Sequence, residues 1–512
     1  MSKTSATMFV SLLAVAGMIW FLVSGDREIS RSDMKLLPPV SSEVGDGLLL
    51  FCAASNRAAM ESVRERYEAE TGRKLEIQYG ASQTLLSQIE LTGVGDVFLP
   101  ADDSFIRVAQ DKSLIAETVP LATMRCGIAV PRGNPRGIDD LTDLFSADLR
   151  VVQANPEVAA VGRLTKEITT GLGLWDQLNS ATDAYRTTVT DVANDLVIGA
   201  ADAGIVYDAV LSTFPDLEFV AVPQLEQAVS TLVVGVIARS QQPTEALHFV
   251  RYLSAEDRGL EDYRQHGFLT LPGDVWAETP EIALYAGAML RPAIEDTLVR
   301  FEQREGVRIS RSYNGCGILV AQMKSGQQPD AYFACDTEFL QQVEDLFQPA
   351  VVVSRNELAI LVQKGNPHNI ASLHDLTKPG LRVGIGHEKQ CAMGWVTQKT
   401  LEQSGLRTRI MENVTVQTPT GDMLVNQLRT GSLDAVVAYL SNAAGAGEFI
   451  DAVRIEGLTC SVATQPWAVA RNSRYPRLTE RLFRNICSAD SQAIFTAEGF
   501  QWQLQVSGSE NP

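Results

Sequence analysis

Two serines, Ser55 and Ser82, stand at matching handovers early in the chain. Leu48-Leu49-Leu50-Phe51-Cys52 is an apolar run that reads as a buried strand, and it ends at Ala53-Ala54-Ser55-Asn56. Leu75, Ile77 and Tyr79 alternate with Lys74, Glu76 and Gln78, the mark of a second strand, which ends at Gly80-Ala81-Ser82. The first backbone N–H groups of a helix lack intrahelical partners and carry partial positive charge. Two helix starts side by side at the carboxyl ends of parallel strands, each with a hydroxyl, would hold a small anion. Serine is also an ordinary helix N-cap, so this stretch alone leaves both readings open.

The elements that must position these serines follow from the same pattern. Met60, Val63 and Tyr67 share one helix face, and Gly72 closes that helix. Leu85, Leu86 and Ile89 mark a second helix, and Asp96-Val97-Phe98-Leu99 a third strand after Gly93. The order is β-α-β-α-β, so the fold class is α/β.

At 512 residues the chain holds two to four domains. Its net charge of −19 argues against nucleic acid or an acidic membrane surface as a general partner, but not against a small anion in a closed cleft. Residues 1–5 read as a cytoplasmic tip, 6–25 as a transmembrane signal anchor or signal peptide, and 26–45 as a tether. Seven cysteines in an exported chain leave at least one thiol unpaired in a monomer.

From residue 46 the chain repeats itself. Ala129-Val130-Pro131-Arg132-Gly133-Asn134-Pro135 returns as Leu361-Val362-Gln363-Lys364-Gly365-Asn366-Pro367, and Gly204-Ile205-Val206-Tyr207 as Val436-Val437-Ala438-Tyr439. Tyr313-Asn314-Gly315-Cys316 stands for Tyr79-Gly80-Ala81-Ser82. The copies span 46–272 and 280–504, with 273–279 as linker and 505–512 as tail. Each copy should have two α/β lobes, because the sheet pattern breaks near Thr118–Cys126 and Ala350–Ile360 and then resumes.

The first copy resembles the periplasmic molybdate-binding proteins of ABC importers along nearly its whole length. Phe51-Cys52-Ala53-Ala54-Ser55, Tyr79-Gly80-Ala81-Ser82-Gln83-Thr84-Leu85 and Gly95-Asp96-Val97-Phe98-Leu99-Pro100-Ala101-Asp102 carry the resemblance, with Asn155-Pro156-Glu157, Gly162, Thr190-Asp191-Val192 and Gly204-Ile205-Val206-Tyr207. It implies two tandem periplasmic-binding-protein-like domains, each a two-lobed clamp around a ligand cleft. It further implies a tetrahedral oxyanion held by the hydroxyls of Ser55, Ser82 and Tyr207 and the backbone N–H groups of Val161 and Val192. Neutral donors of this kind satisfy a dianion without a buried countercharge. Arg57 and Arg291 lie in the first helical turn of each copy, against the helix dipole. They read either as attractors at the cleft mouth or as solvated side chains.

The second copy keeps the frame and changes the chemistry. Met289 takes the slot of Ser55, Cys316 that of Ser82, Met393 that of Val161 and Met423 that of Val192, while Tyr439 is retained. Cys335 and Cys391 lie close by in the pattern. Sulfur is a poor donor to an oxyanion. Three readings stay open: a soft-metal site for Cu(I) built from Met289, Cys316, Cys335, Cys391, Met393 and Met423; a disulfide between Cys316 and Cys391; or a degenerate pocket filled by small apolar groups. Cys460 and Cys487 are expected to be buried or paired with each other, and Cys52 and Cys126 to lie in the core.

The expected protein is an extracytoplasmic solute-binding protein, held at the cytoplasmic membrane or released after cleavage, serving an ABC permease. Molybdate or tungstate would be ligand rather than cofactor. Ligand sensing instead of transport is the neighbouring reading. An enzyme is not expected: no Ser/His/Asp order and no Walker loop is present, and five histidines leave few candidates for acid–base work.

Overall fold

The computed structural model describes residues 47–444 and 446–504. The expected membrane segment 6–25, most of the tether and the tail lie outside the described residues. No helix within them is long and apolar enough to cross a membrane.

Two tandem α/β domains follow one another, each built on a mixed sheet. In the first, ten strands are β1 (Gly47–Ala53), β2 (Lys74–Gly80), β3 (Val97–Leu99), β4 (Ile115–Pro131), β5 (Val151–Ala154), β6 (Thr182–Arg186), β7 (Ala203–Tyr207), β8 (Leu217–Val220), β9 (Val229–Ile237) and β10 (Leu269–Thr270). The order is β2-β1-β3-β9-β4-β7-β5-β6, with β10 and β8 also paired to β4. Strand β4 binds the two lobes together. Its first part pairs β9 from Ile115 to Arg125, and its second pairs β7 from Cys126 to Ala129. The expected break near Thr118–Cys126 is therefore one continuous strand with a register shift between Pro120 and Ala122. A bulge bends a strand without ending it, so the sequence pattern falters where the backbone does not.

The second domain repeats this order strand for strand. Its long strand, Val351–Gln363, carries the equivalent shift between Val352 and Ser354. The parallel pairs β1–β3 and β5–β7 bury both faces between helices, which accounts for strands such as Val97–Leu99 being apolar throughout. Helix Arg57–Thr71 sets Ala59, Met60, Val63 and Tyr67 against the sheet and stops at Gly72, whose φ of 71° suits a residue without a side chain.

The domains meet through charge. The helix Arg291–Glu305 of the second domain ends at Glu305, whose carboxylate lies 2.8 and 2.9 Å from the Arg481 guanidinium. Arg251, from helix Pro243–Leu253 of the first domain, donates to the Glu305 carbonyl. All three side chains are buried. Burial opposes ionisation of Glu305, but the two guanidiniums outweigh it and hold the carboxyl below its ordinary range. Beside them Arg304 makes a two-point pair with Glu117 at 2.8 and 3.0 Å.

Candidate functional site

Every segment around the first cleft begins at the carboxyl end of a parallel strand or at β7. From one lobe come Ala53–Ser55 and Gly80–Ser82; from the other come Ala159–Val161, Thr187–Val189 and Tyr207. They enclose about 20 Å³, room for one compact ion and nothing the size of a sugar. Among the described residues no charged side chain lines this space. The lobes are closed on each other: the Gln83 N–H donates to the Val158 carbonyl across the cleft at 3.3 Å.

Neither serine is a cap. Ser55 lies inside a short 3-10 turn, Ala54–Asn56, and Ser82 is the first residue of its helix, whose cap position is Ala81. The Ser55 hydroxyl is buried and has no partner among the described residues. The Ser82 oxygen accepts the Ala101 N–H at 3.0 Å, which leaves its own proton to give. The Tyr207 hydroxyl is fully buried and also without a partner. Ser230, which could have answered it, is turned to the Ala101 carbonyl and the Asp102 carboxylate. Burial, with Cys126 and Asp102 nearby, pushes the Tyr207 hydroxyl far up, so it stays a protonated donor.

The backbone donors are where one expectation fails. Val161 lines the cleft, second in the helix Ala160–Gly171, so its N–H has no intrahelical partner. Val192 does not line it. Its helix begins at Val189 behind a capping box of Thr188 and Asp191, and the Val192 N–H already bonds the Thr188 carbonyl at 3.4 Å. The residue at the cleft is Val189. The signal was present, since Thr188-Val189-Thr190-Asp191 has the spacing of a capping box that starts the helix at Val189. Arg57 lies outside the small cavity, with its guanidinium 4.3 Å from the Tyr79 ring centre. It lines a wider adjoining space of about 200 Å³ that also touches Ala54, Ser55 and Thr190.

The family description "Bacterial extracellular solute-binding protein" matches the chain twice, over residues 48–269 and 282–501. The chain belongs to that family. The molybdate-binding protein ModA of Mycobacterium tuberculosis is 30% identical over 267 residues, covering 51% of this chain and 97% of that protein. A sulfate-binding protein of Synechococcus elongatus is 25% identical over 258 residues, covering 43% and 73%. Among solved structures, the periplasmic molybdate-binding protein of Azotobacter vinelandii aligns at 19% identity and a TM-score of 0.39, covering 44% of this chain and 99% of that one.

The second solute-binding domain of the chain encloses a cleft of the same size, about 20 Å³. Met289, Asn314, Cys335, Cys391, Met393, Gly421, Tyr439 and Asn442 are among its lining residues. Three expectations are corrected here. The disulfide joins Cys316 to Cys335, with Cα atoms 6.2 Å apart, and Cys391 is a free thiol. Where Ser82 accepts a hydrogen bond from Ala101, a covalent bond now ties Cys316 to Cys335 at the same two places. Cys316 does not line the cleft. Met423 is 47% exposed and also absent from it, because the helices Val189–Val197 and Gly421–Arg429 start at equivalent places and Leu424, not Met423, stands opposite Val192. Of the six sulfurs expected around a soft metal, two are therefore joined and one faces away, leaving Met289, Met393 and Cys391. Cys460 and Cys487 are separate, partly exposed thiols. Cys460 contacts the Gln403 side-chain oxygen at 2.6 Å instead.

Proposed function

We propose that the first domain is a clamp for one tetrahedral dianion, molybdate or a close relative, and that the chain presents it outside the cytoplasmic membrane to an ABC permease. The observation that carries this reading is the pair of buried, unpartnered hydroxyls, Ser55 and Tyr207, facing a closed cavity for one compact ion. A buried hydroxyl without a partner costs stability unless a ligand supplies one. The Ser82 proton and the helix-start N–H groups at Val161 and Val189 complete a set of neutral donors. Relatives whose names give molybdate or sulfate as ligand support the class of ion. A relative named as an ABC transporter substrate-binding lipoprotein, from Bacillus subtilis, supports the permease. Arg57 at the adjoining mouth would draw the anion in.

The test is calorimetry of the full chain against molybdate, tungstate, sulfate and phosphate. One equivalent of molybdate or tungstate should bind, and Tyr207→Phe should weaken it. Absence of heat with all four ions would refute the reading.

A further inference from the structure

The second cleft is as closed and as small as the first, yet none of its expected side-chain ligands except Tyr439 is a hydroxyl. Tyr439 is 2% exposed and lines the cavity, and its buried hydroxyl has no partner among the described residues. The helix Ala392–Gln403 brings the N–H groups of Ala392 and Met393, which have no intrahelical partners, to the same space, and the helix Gly421–Arg429 brings that of Gly421. The Asn314 side-chain oxygen accepts the Gly315 N–H at 2.9 Å, which turns its amide NH2 to other use. All of these are donors. The rest of the wall includes the Met289 and Met393 thioethers, the Cys335 end of the disulfide and the Cys391 thiol, which are polarisable and poorly hydrated, together with Pro419, Thr420 and Asn442.

A soft cation does not fit this arrangement. Two helix N-termini point their positive ends at the cavity. The Cys391 sulfur accepts the Gly394 N–H at 3.4 Å, and its proton lies toward the His387 and Thr418 carbonyls. Burial pushes that thiol up to about 11, so it is no thiolate at neutral pH. A dianion is served less well here than in the first cleft: Met289 and the Cys316–Cys335 disulfide stand where the two serine hydroxyls were, and the Thr420 hydroxyl only matches Thr188 of the first cleft and does not replace them. In addition, Asp422 occupies the slot of Thr190, next to Gly421 at the helix start, and contacts Asn442 at 3.2 Å.

We propose that the second cleft is a distinct binding site for a small, singly charged, weakly hydrated anion. One negative charge needs fewer donors than two, and a compact monoanion of diffuse charge loses little on exchanging water for thioether and disulfide sulfur. The site is independent of what occupies the first cleft.

Perrhenate, a tetrahedral monoanion close to molybdate in size, is the probe. Calorimetry of the full chain should show one perrhenate site. Its affinity should fall about tenfold or more in Tyr439→Phe and stay unchanged in Tyr207→Phe. Asn314→Ala should weaken it as well, and it replaces Tyr439→Phe should that variant fail to fold. Molybdate should not compete at this site. No heat with perrhenate would overturn the proposal, as would a loss of binding that follows Tyr207 instead of Tyr439. Tight Cu(I) binding that disappears in Met289→Ala would equally overturn it, in favour of a metal site. Failure of the first-cleft reading would appear separately, as absence of the molybdate heat.

Discussion

Tyr207 and Ser82 donate to the same cavity but should respond differently to substitution. The Tyr207 hydroxyl has no partner among the described residues, so Tyr207→Phe removes an unsatisfied group and leaves the unliganded fold at least as stable. Its cost should appear only with ligand, as a loss of about 1.5–3 kcal/mol, roughly tenfold to 150-fold in affinity. Ser82→Ala loses the ligand bond and also abandons the Ala101 N–H at 3.0 Å, so its unliganded melting temperature should drop too. Thermal melts with and without molybdate check both, and a lower unliganded melt for Tyr207→Phe would contradict the structure. These side chains could be read from the sequence because a hydroxyl at a strand end is visible in the residue type. Backbone donors leave no such mark. The family resemblance points to Val192, while the N–H at the cleft belongs to Val189 and is fixed by where Thr188 caps the helix.

At the scale of elements, the two domains close their clefts by the same contact but at different spacing. In the first domain Ala81 and Gln83 carry side chains at the interface between lobes. In the second these positions are Gly315 and Gly317, and a Cβ on Gly317 would lie 2.0 Å from the Lys389 carbonyl oxygen. The Gly317 N–H meanwhile donates to the Gln390 carbonyl at 3.0 Å. Gly317→Ala should therefore hold the second cleft open and leave the first untouched. Hydrogen exchange should show faster exchange around residues 316–319 and 391–395, with no change around Gln83 and Val158. Unaltered protection in both regions would mean the lobes do not pack this closely. The repeat itself was legible, since its interval is held by residues such as Gly133 and Gly365 that sit in tight turns at φ of 81° and 80°. The disulfide partner was not. Cys335 lies two residues past the strand Ala331–Phe333 and Cys316 begins a helix, and only the packing of those two elements in space sets Cys316 beside Cys335 and not Cys391.

At the scale of the whole molecule, the question is whether the two domains fold and act as one body. Arg251, Glu305 and Arg481 lie on three separate helices, and nothing in their spacing along the chain joins them. In the fold they form one buried cluster of two cations and one anion across the junction of the domains. Such a cluster is a poor source of net stability, but removing its single anion leaves two buried guanidiniums facing each other. Glu305→Gln should therefore destabilise the chain by about 3–5 kcal/mol at neutral pH. The pH dependence has a definite sign. Because the folded carboxyl titrates below its ordinary value, its contribution is complete above the unfolded value of about 4.3 and is lost as pH falls through the folded value. Glutamine imitates the protonated acid, so urea unfolding curves of the parent and Glu305→Gln should lie far apart at pH 7 and approach each other below about pH 4. The variant should also separate the transitions of the two domains, since Arg304–Glu117 is the neighbouring link and is only half-buried. A single transition of unchanged midpoint at pH 7 would show that the domains are joined by their apolar contacts and not by this charge cluster.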